Sequence, residues 1–148
     1  ILSADLQTGT IVITRNNPTP IFIAHGDFVE CINTDSVSIG TSRNIRPSIT
    51  EFPIESGITI VAFTDGIANA GDRTGESLDF CTLLSATLEE QDPSAQGIAD
   101  TLLNQAIRLD QNRPNDDMSV VVMRIQSTET DQIRRMSVRL PVPPTFAL

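Results

Sequence analysis

Ile58-Thr59-Ile60-Val61-Ala62-Phe63-Thr64-Asp65-Gly66 (ITIVAFTDG) is the stretch that decides how this chain reads. The run from Ile58 to Phe63 is apolar on both alternating faces, the pattern of a central strand covered on both sides. Glu55-Ser56-Gly57 turns the chain into it, and Thr64-Asp65-Gly66 ends it. A second such run, Met118 to Ile125 (MSVVVMRI), follows Asn115-Asp116-Asp117 and reads as a second buried strand. If the two strands are antiparallel neighbours, Asp65, Asp116 and Asp117 lie at one end of one sheet. Carboxylates gathered there repel one another unless a cation neutralises them. Hard divalent ions such as Mg²⁺ and Mn²⁺ favour such oxygen ligands. Taken singly, Asp-Gly and Asn-Asp are ordinary turn chemistry; only the pairing points to a metal.

Between these strands the spacing predicts two helices. Glu76 to Glu89 places Phe80, Cys81, Leu84 and Leu88 on one face. The second helix is expected to start at Asp92-Pro93, a cap followed by proline at the first helical position. Its apolar face is Ile98, Leu102, Ala106 and Leu109, and Asn112-Arg113-Pro114-Asn115 stops it. Upstream, Thr10–Thr14 and Ile21–Ala24 read as strands joined into a β-hairpin by Arg15–Pro20. Gly9 and His25-Gly26-Asp27 mark further turns, the latter leading into a strand over Phe28–Ile32. Residues 34–46 read as a polar loop and Ser48–Phe52 as another strand. After Gln126 the pattern fades. Met136–Leu140 could form a short strand, and Pro141-Val142-Pro143-Pro144 is stiff and extended, so 126–148 reads as a linker or tail.

The chain has 148 residues, 39% of them hydrophobic, which suffices for one domain with a core. A net charge of −9 disfavours nucleic acid and anionic lipid as partners. Cys31 and Cys81 show no CxxC spacing and cannot build a disulfide framework; they are expected on core faces of a strand and a helix. No apolar run nears the roughly 20 residues that span a bilayer, and no signal peptide is evident, so a cytoplasmic location is expected. The first residue is Ile1, and Ile1–Leu6 already reads as folded sequence; a piece of a longer protein is the expectation.

Ala62-Phe63-Thr64-Asp65-Gly66-Ile67 resembles the "YTDGV" segment of the metal-dependent protein phosphatases (PPM, or type 2C). Asn115-Asp116-Asp117-Met118-Ser119-Val120-Val121-Val122 resembles their terminal "DDMTVVV" segment. Gly75-Glu76 falls where the bacterial branch often has Gly-Glu before a helix. Ala4-Asp5-Leu6-Gln7-Thr8-Gly9 is similar to the "D…TG" that opens the hairpin before the site, and Ser38-Ile39-Gly40 to the "LG" segment. The resemblance runs from residue 1 to 125 and is to the carboxy-terminal part of the domain, of the stage II sporulation protein E type.

The resemblance implies an α+β fold: an antiparallel β-sandwich flanked by helices, incomplete at its N-terminus. It implies two Mn²⁺ or Mg²⁺ ions at one end of the sandwich, activating a water that attacks phosphoserine or phosphothreonine directly. Asp65 and Asp116 would be metal ligands, with Gly66 and Asp117 adjacent; no catalytic residue beyond the metal-activated water is implied. The substrate would be a phosphorylated regulatory protein such as an anti-sigma-factor antagonist, with attached sensor domains or a second chain as further partners.

The chain departs from the pattern in three places. The family's two earlier acidic segments have no counterpart, since Asp5, Asp27 and Asp35 stand in other contexts. Arg15-Asn16-Asn17-Pro18-Thr19-Pro20 replaces the branch's "NAGH-P-P" turn, and Glu55-Ser56-Gly57 replaces Pro-Gly-Asp. Two other functions stay open: a metal-free pseudophosphatase acting as a binding or regulatory module, and an interaction module whose aspartates only shape turns. His25, the only histidine, reads as a surface turn residue. Asn69–Asp72 (NAGD) reads as a loop near the site, and Arg134, Arg135 and Arg139 as a solvated basic cluster.

Overall fold

In the computed structural model, residues 1–26, 28–90 and 93–127 are described. Two antiparallel sheets form a sandwich. The three-stranded sheet has the order β1 (Leu2–Asp5), β2 (Thr10–Arg15), β5 (Ser48–Pro53). The four-stranded sheet has the order β4 (Phe28–Ile32), β3 (Ile21–His25), β6 (Ile58–Phe63), β7 (Val120–Arg124). Among the described residues three helices follow β6: α1 (Asp65–Ala68), α2 (Phe80–Glu89) and α3 (Ala95–Leu109). The α+β antiparallel sandwich is thus as the sequence implies.

Strand alternation splits the core in two. Ile58 and Ile60 of β6 face Ile11, Ile13 and Ile32 between the sheets. Val61 and Phe63 point the other way, where Phe22, Phe80, Leu84, Ile98, Leu102 and Ala106 seal α2 and α3 onto the four-stranded sheet. Phe63 and Phe80 stack with ring centroids 4.5 Å apart. Burying each large side chain of this kind contributes roughly 1.5–3 kcal/mol. Both layers draw on β6, so both of its faces carry apolar residues; Thr59, also buried, is the strand's polar residue, and its hydroxyl accepts from Arg124 Nε at 3.3 Å.

Several local expectations are corrected. β2 and β3 are not a hairpin: β2 pairs with β1 and β5, while β3 pairs with β4 and β6. Residues 15–20 therefore cross between sheets. The buried Arg15 guanidinium fixes the crossing by donating to Thr19 O (3.0 Å), Ile32 O (2.6 Å) and Thr34 O. β7 pairs with β6 alone and lies at the sheet edge among the described residues, with Val121 62% exposed. An apolar run reads alike in a central strand and in this half-covered one.

α2 begins at Phe80 rather than Glu76, because Asp79 caps it by accepting from Thr82 N at 3.1 Å. α3 is capped by Ser94, whose hydroxyl accepts from Gly97 N at 3.0 Å; Asp92 lies outside the described residues. Both cysteines are exposed rather than on core faces. Asp27 and residues 128–148, including Met136–Leu140, Pro141–Pro144 and the Arg134, Arg135 and Arg139 cluster, also lie outside the described residues.

Candidate metal centre

β6 and β7 are antiparallel neighbours with Phe63 opposite Val120. The residue after Phe63 and the residues before Val120 therefore meet at one end of the sheet, as the sequence argument required. Thr64 closes the junction three times. Its N–H donates to Ser119 O (3.0 Å), its hydroxyl donates to Asp117 O (2.8 Å), and that hydroxyl accepts from Ser119 N (2.9 Å). Gly66 then packs edge-on against the Asp116–Asp117 backbone. A β-carbon at Gly66 would lie 2.5 Å from Asp117 O and 3.3 Å from Asp116 C. Gly66 is needed here for close approach rather than for an unusual backbone angle.

Asp65, Asp116 and Asp117 are all solvent-exposed at this junction. Asp116 Oδ1 accepts from Asp117 N at 2.8 Å, which fixes its carboxylate. The donor chemistry fits a hard divalent cation: carboxylate oxygens, held by backbone, open to water. Among the described residues no three His, Cys, Asp or Glu side chains converge into a group that could hold a metal ion.

Asp110, just past the end of α3, was missed by the sequence reading. Its Oδ1 accepts from Gly71 N (2.9 Å) and its Oδ2 from Asn115 N (3.1 Å). It ties the Asn69–Asp72 loop to the segment carrying Asp116. The Gly71 bond foremost holds its carboxyl below the ordinary value of 3.8, with Asn115 and the nearby Arg73 adding to the effect against partial desolvation. Arg73 also donates to Asn115 Oδ1. Nothing in the local pattern marks a bond spanning this much sequence, and Asp110 reads there as a plain helix end.

His25 is excluded from this centre by register. It pairs with Ile58, at the opposite end of β6 from Asp65, and its Nε2 lies 3.9 Å from Glu55 Oε2. The Cys31 thiol is raised above its usual value, chiefly by desolvation and secondarily by Cys81, while Arg15 opposes this. Such a thiol is a poor nucleophile at neutral pH.

The family model described as Stage II sporulation protein E (SpoIIE) matches residues 1–126. The chain belongs to the stage II sporulation protein E family. It is 29% identical over 143 residues to the stage II sporulation protein E of Bacillus subtilis (strain 168), covering 96% of this chain and 16% of that protein. A solved structure of the PP2C phosphatase domain and a fragment of the regulatory domain of SpoIIE from Bacillus subtilis matches with a TM-score of 0.66 and 28% identity. That match covers 82% of this chain and 35% of the solved one. The Mn-presoaked phosphatase domain of the same protein matches with a TM-score of 0.66 at 23% identity, covering 88% of this chain and 57% of that one. This is a PP2C-type phosphatase fold, of which the chain spans little more than half.

Proposed function

We propose that this chain forms part of a metal-dependent protein serine/threonine phosphatase. It would hydrolyse phosphoserine or phosphothreonine on a bacterial regulatory protein, such as an anti-sigma-factor antagonist, in the cytoplasm. The observation that carries the reading is the packing of Gly66 onto the Asp116–Asp117 backbone, which puts Asp65 and Asp116 at one junction. Family membership and the Mn-presoaked SpoIIE domain support the choice of ion.

Asp65 and Asp116 would hold Mn²⁺ or Mg²⁺ together with acidic groups outside this chain's described set. When bound, the metal supplies Lewis-acid stabilisation of phosphoryl charge and a water of lowered pKa. The chain's own residues set the geometry. Thr64 locks the two strand ends together, Gly66 permits their approach, and Asp117 flanks the ligands through its backbone. Asp110 and Arg73 hold the two surrounding loops in register. Among the described residues, no helix is long and apolar enough to cross a membrane.

The test is Mn²⁺-dependent hydrolysis of p-nitrophenyl phosphate and of a phosphoserine peptide. It should be run on this chain and on the chain extended upstream of Ile1. The reading predicts activity in the extended protein that Asp65→Asn and Asp116→Asn each abolish without unfolding it. A folded extended protein that binds a phosphoprotein yet hydrolyses neither substrate would instead establish the pseudophosphatase reading.

A further inference from the structure

Phe28 is 67% exposed although it lies on the face of β4 that turns toward the other sheet. It stands opposite His25 in the β3–β4 register and shares its face with Glu30 and with Ile32, which is buried between the sheets. The inter-sheet face of β4 is thus covered at Ile32 and open at Phe28 and Glu30. A sandwich ordinarily fills the space between its sheets with side chains. Here a cavity of about 400 Å³ remains, lined in its depth by Ile23, Phe52 and the buried Ile58, with Phe28 at its mouth.

The mouth is acidic. Glu30 of β4, Glu51 of β5 and Glu55 of the following turn line it, all three exposed, and no lysine or arginine does. Among the described residues Glu55 has an ion-pair partner only in His25, at 3.9 Å, and Glu30 and Glu51 have none. Three carboxylates around an apolar cavity repel one another and favour an occupant that is both cationic and apolar. Residues 133–140 (IRRMSVRL) have that chemistry. They hold three of the chain's ten Lys and Arg residues, Arg134, Arg135 and Arg139, and no acidic one. In an extended conformation they set Met136, Val138 and Leu140 on one face. The chain leaves the sandwich beside the groove, where Ser127 N donates to Ser56 Oγ at 3.0 Å, next to Glu55. Ile133 is six residues beyond Ser127, a reach of at most about 20 Å. A tether this short holds the segment at an effective concentration of about the millimolar range.

We propose that residues 133–140 dock in the β4–β5 groove of their own chain. Met136, Val138 and Leu140 fill the cavity, and the three arginines meet Glu30, Glu51 and Glu55 at its mouth. Apolar burial supplies the larger share of the affinity, while exposed ion pairs are individually weak and select the occupant. The groove lies at the Ile58 end of β6, away from Asp65, so the proposal does not depend on the phosphatase reading.

The experiment is photo-crosslinking of the upstream-extended protein, carried through Leu148, with p-benzoylphenylalanine in place of Met136. Peptide mapping after irradiation locates the crosslink. The expected result is a crosslink within one chain to residues 28–30 or 50–55. Its yield should fall about tenfold in Glu30→Lys/Glu51→Lys and equally in Arg135→Glu/Arg139→Glu, each reversed pair being worth a few-fold. Combining the two sets of changes restores opposite charges and should recover the yield. Arg135→Glu/Arg139→Glu alters none of the described residues, so its result stands whether or not the groove variant folds. Crosslinks between two chains would overturn the inference and assign the groove to a second copy. Crosslinks confined to the upstream part, or scattered over the surface, would also overturn it. So would a yield that Arg135→Glu/Arg139→Glu leaves unchanged, or a folded combined variant whose yield stays low.

Discussion

Gly66 stands so close to the Asp117 carbonyl that a β-carbon would come within 2.5 Å of its oxygen. This contact joins the end of the strand bearing Asp65 to the segment bearing Asp116. Gly66→Ala forces backbone against backbone and cannot be relieved by a side-chain rotation. The expected outcome is destabilisation of about 1–3 kcal/mol, the usual cost of overpacking, together with loss of Mn²⁺ affinity. Denaturant unfolding and Mn²⁺ titration read the two effects separately.

Thr64 contributes both a donor and an acceptor to the same junction. Thr64→Val keeps the shape and removes both bonds, so metal affinity or activity should fall on the order of 10–100-fold, as for other groups that orient ligands. Thr64→Ser retains the hydroxyl and should recover most of the loss. That rescue distinguishes the hydrogen bonds from the packing of the methyl group.

Asp110 predicts a pH dependence. Its folded-state pKa is depressed below 3.8 because the carboxylate accepts from Gly71 and Asn115 and lies near Arg73. The unfolded state therefore takes up protons first as pH falls, and the stabilisation is complete above the unfolded value. It is lost as pH drops from about 4 through the lower folded value. Asp110→Asn cannot accept at both positions, so its acid unfolding should be less steep in that window while stability near pH 7 is reduced. Parallel pH titrations of unfolding for the two proteins check this.

The helical layer has its own test. Ser94→Ala removes the cap of α3 and should cost about 1 kcal/mol. Leu102→Ala opens a cavity at a residue only 1% exposed and should cost about 2–5 kcal/mol. Both changes lie away from the aspartates, so Mn²⁺ affinity of the folded protein should stay unchanged while the unfolding midpoint falls.

The sheet around β6 was legible because burial on two faces demands apolar residues on both, and Ile58–Phe63 supplies them at every position but Thr59. The antiparallel pairing that brings the Asp65 and Asp116 segments to one end of the sheet stood in the sequence only as a condition, and the Phe63–Val120 register meets it. The Arg15–Pro20 crossing was not legible as such. Asn and Pro announce a turn equally well within one sheet or between two, and the deciding feature is a long-range bond from Arg15 to Ile32. Helix starts were misplaced because apolar spacing places Phe80 and Leu84 on a face without marking the first turn, which Asp79 sets, and because Ser94 competes with the nearby Asp-Pro start signal. Asp110 escaped notice because its partners, Gly71 and Asn115, lie on two separate loops.

The most direct test of the account is Mn²⁺ binding followed by the electron paramagnetic resonance signal of the free ion. It should be measured on the upstream-extended protein, on Asp65→Asn, on Asp116→Asn and on the double variant. The account predicts that each single change removes bound Mn²⁺ and that the double change removes little more, because both carboxylates serve one centre. Single variants that bind Mn²⁺ as the wild type does would contradict it.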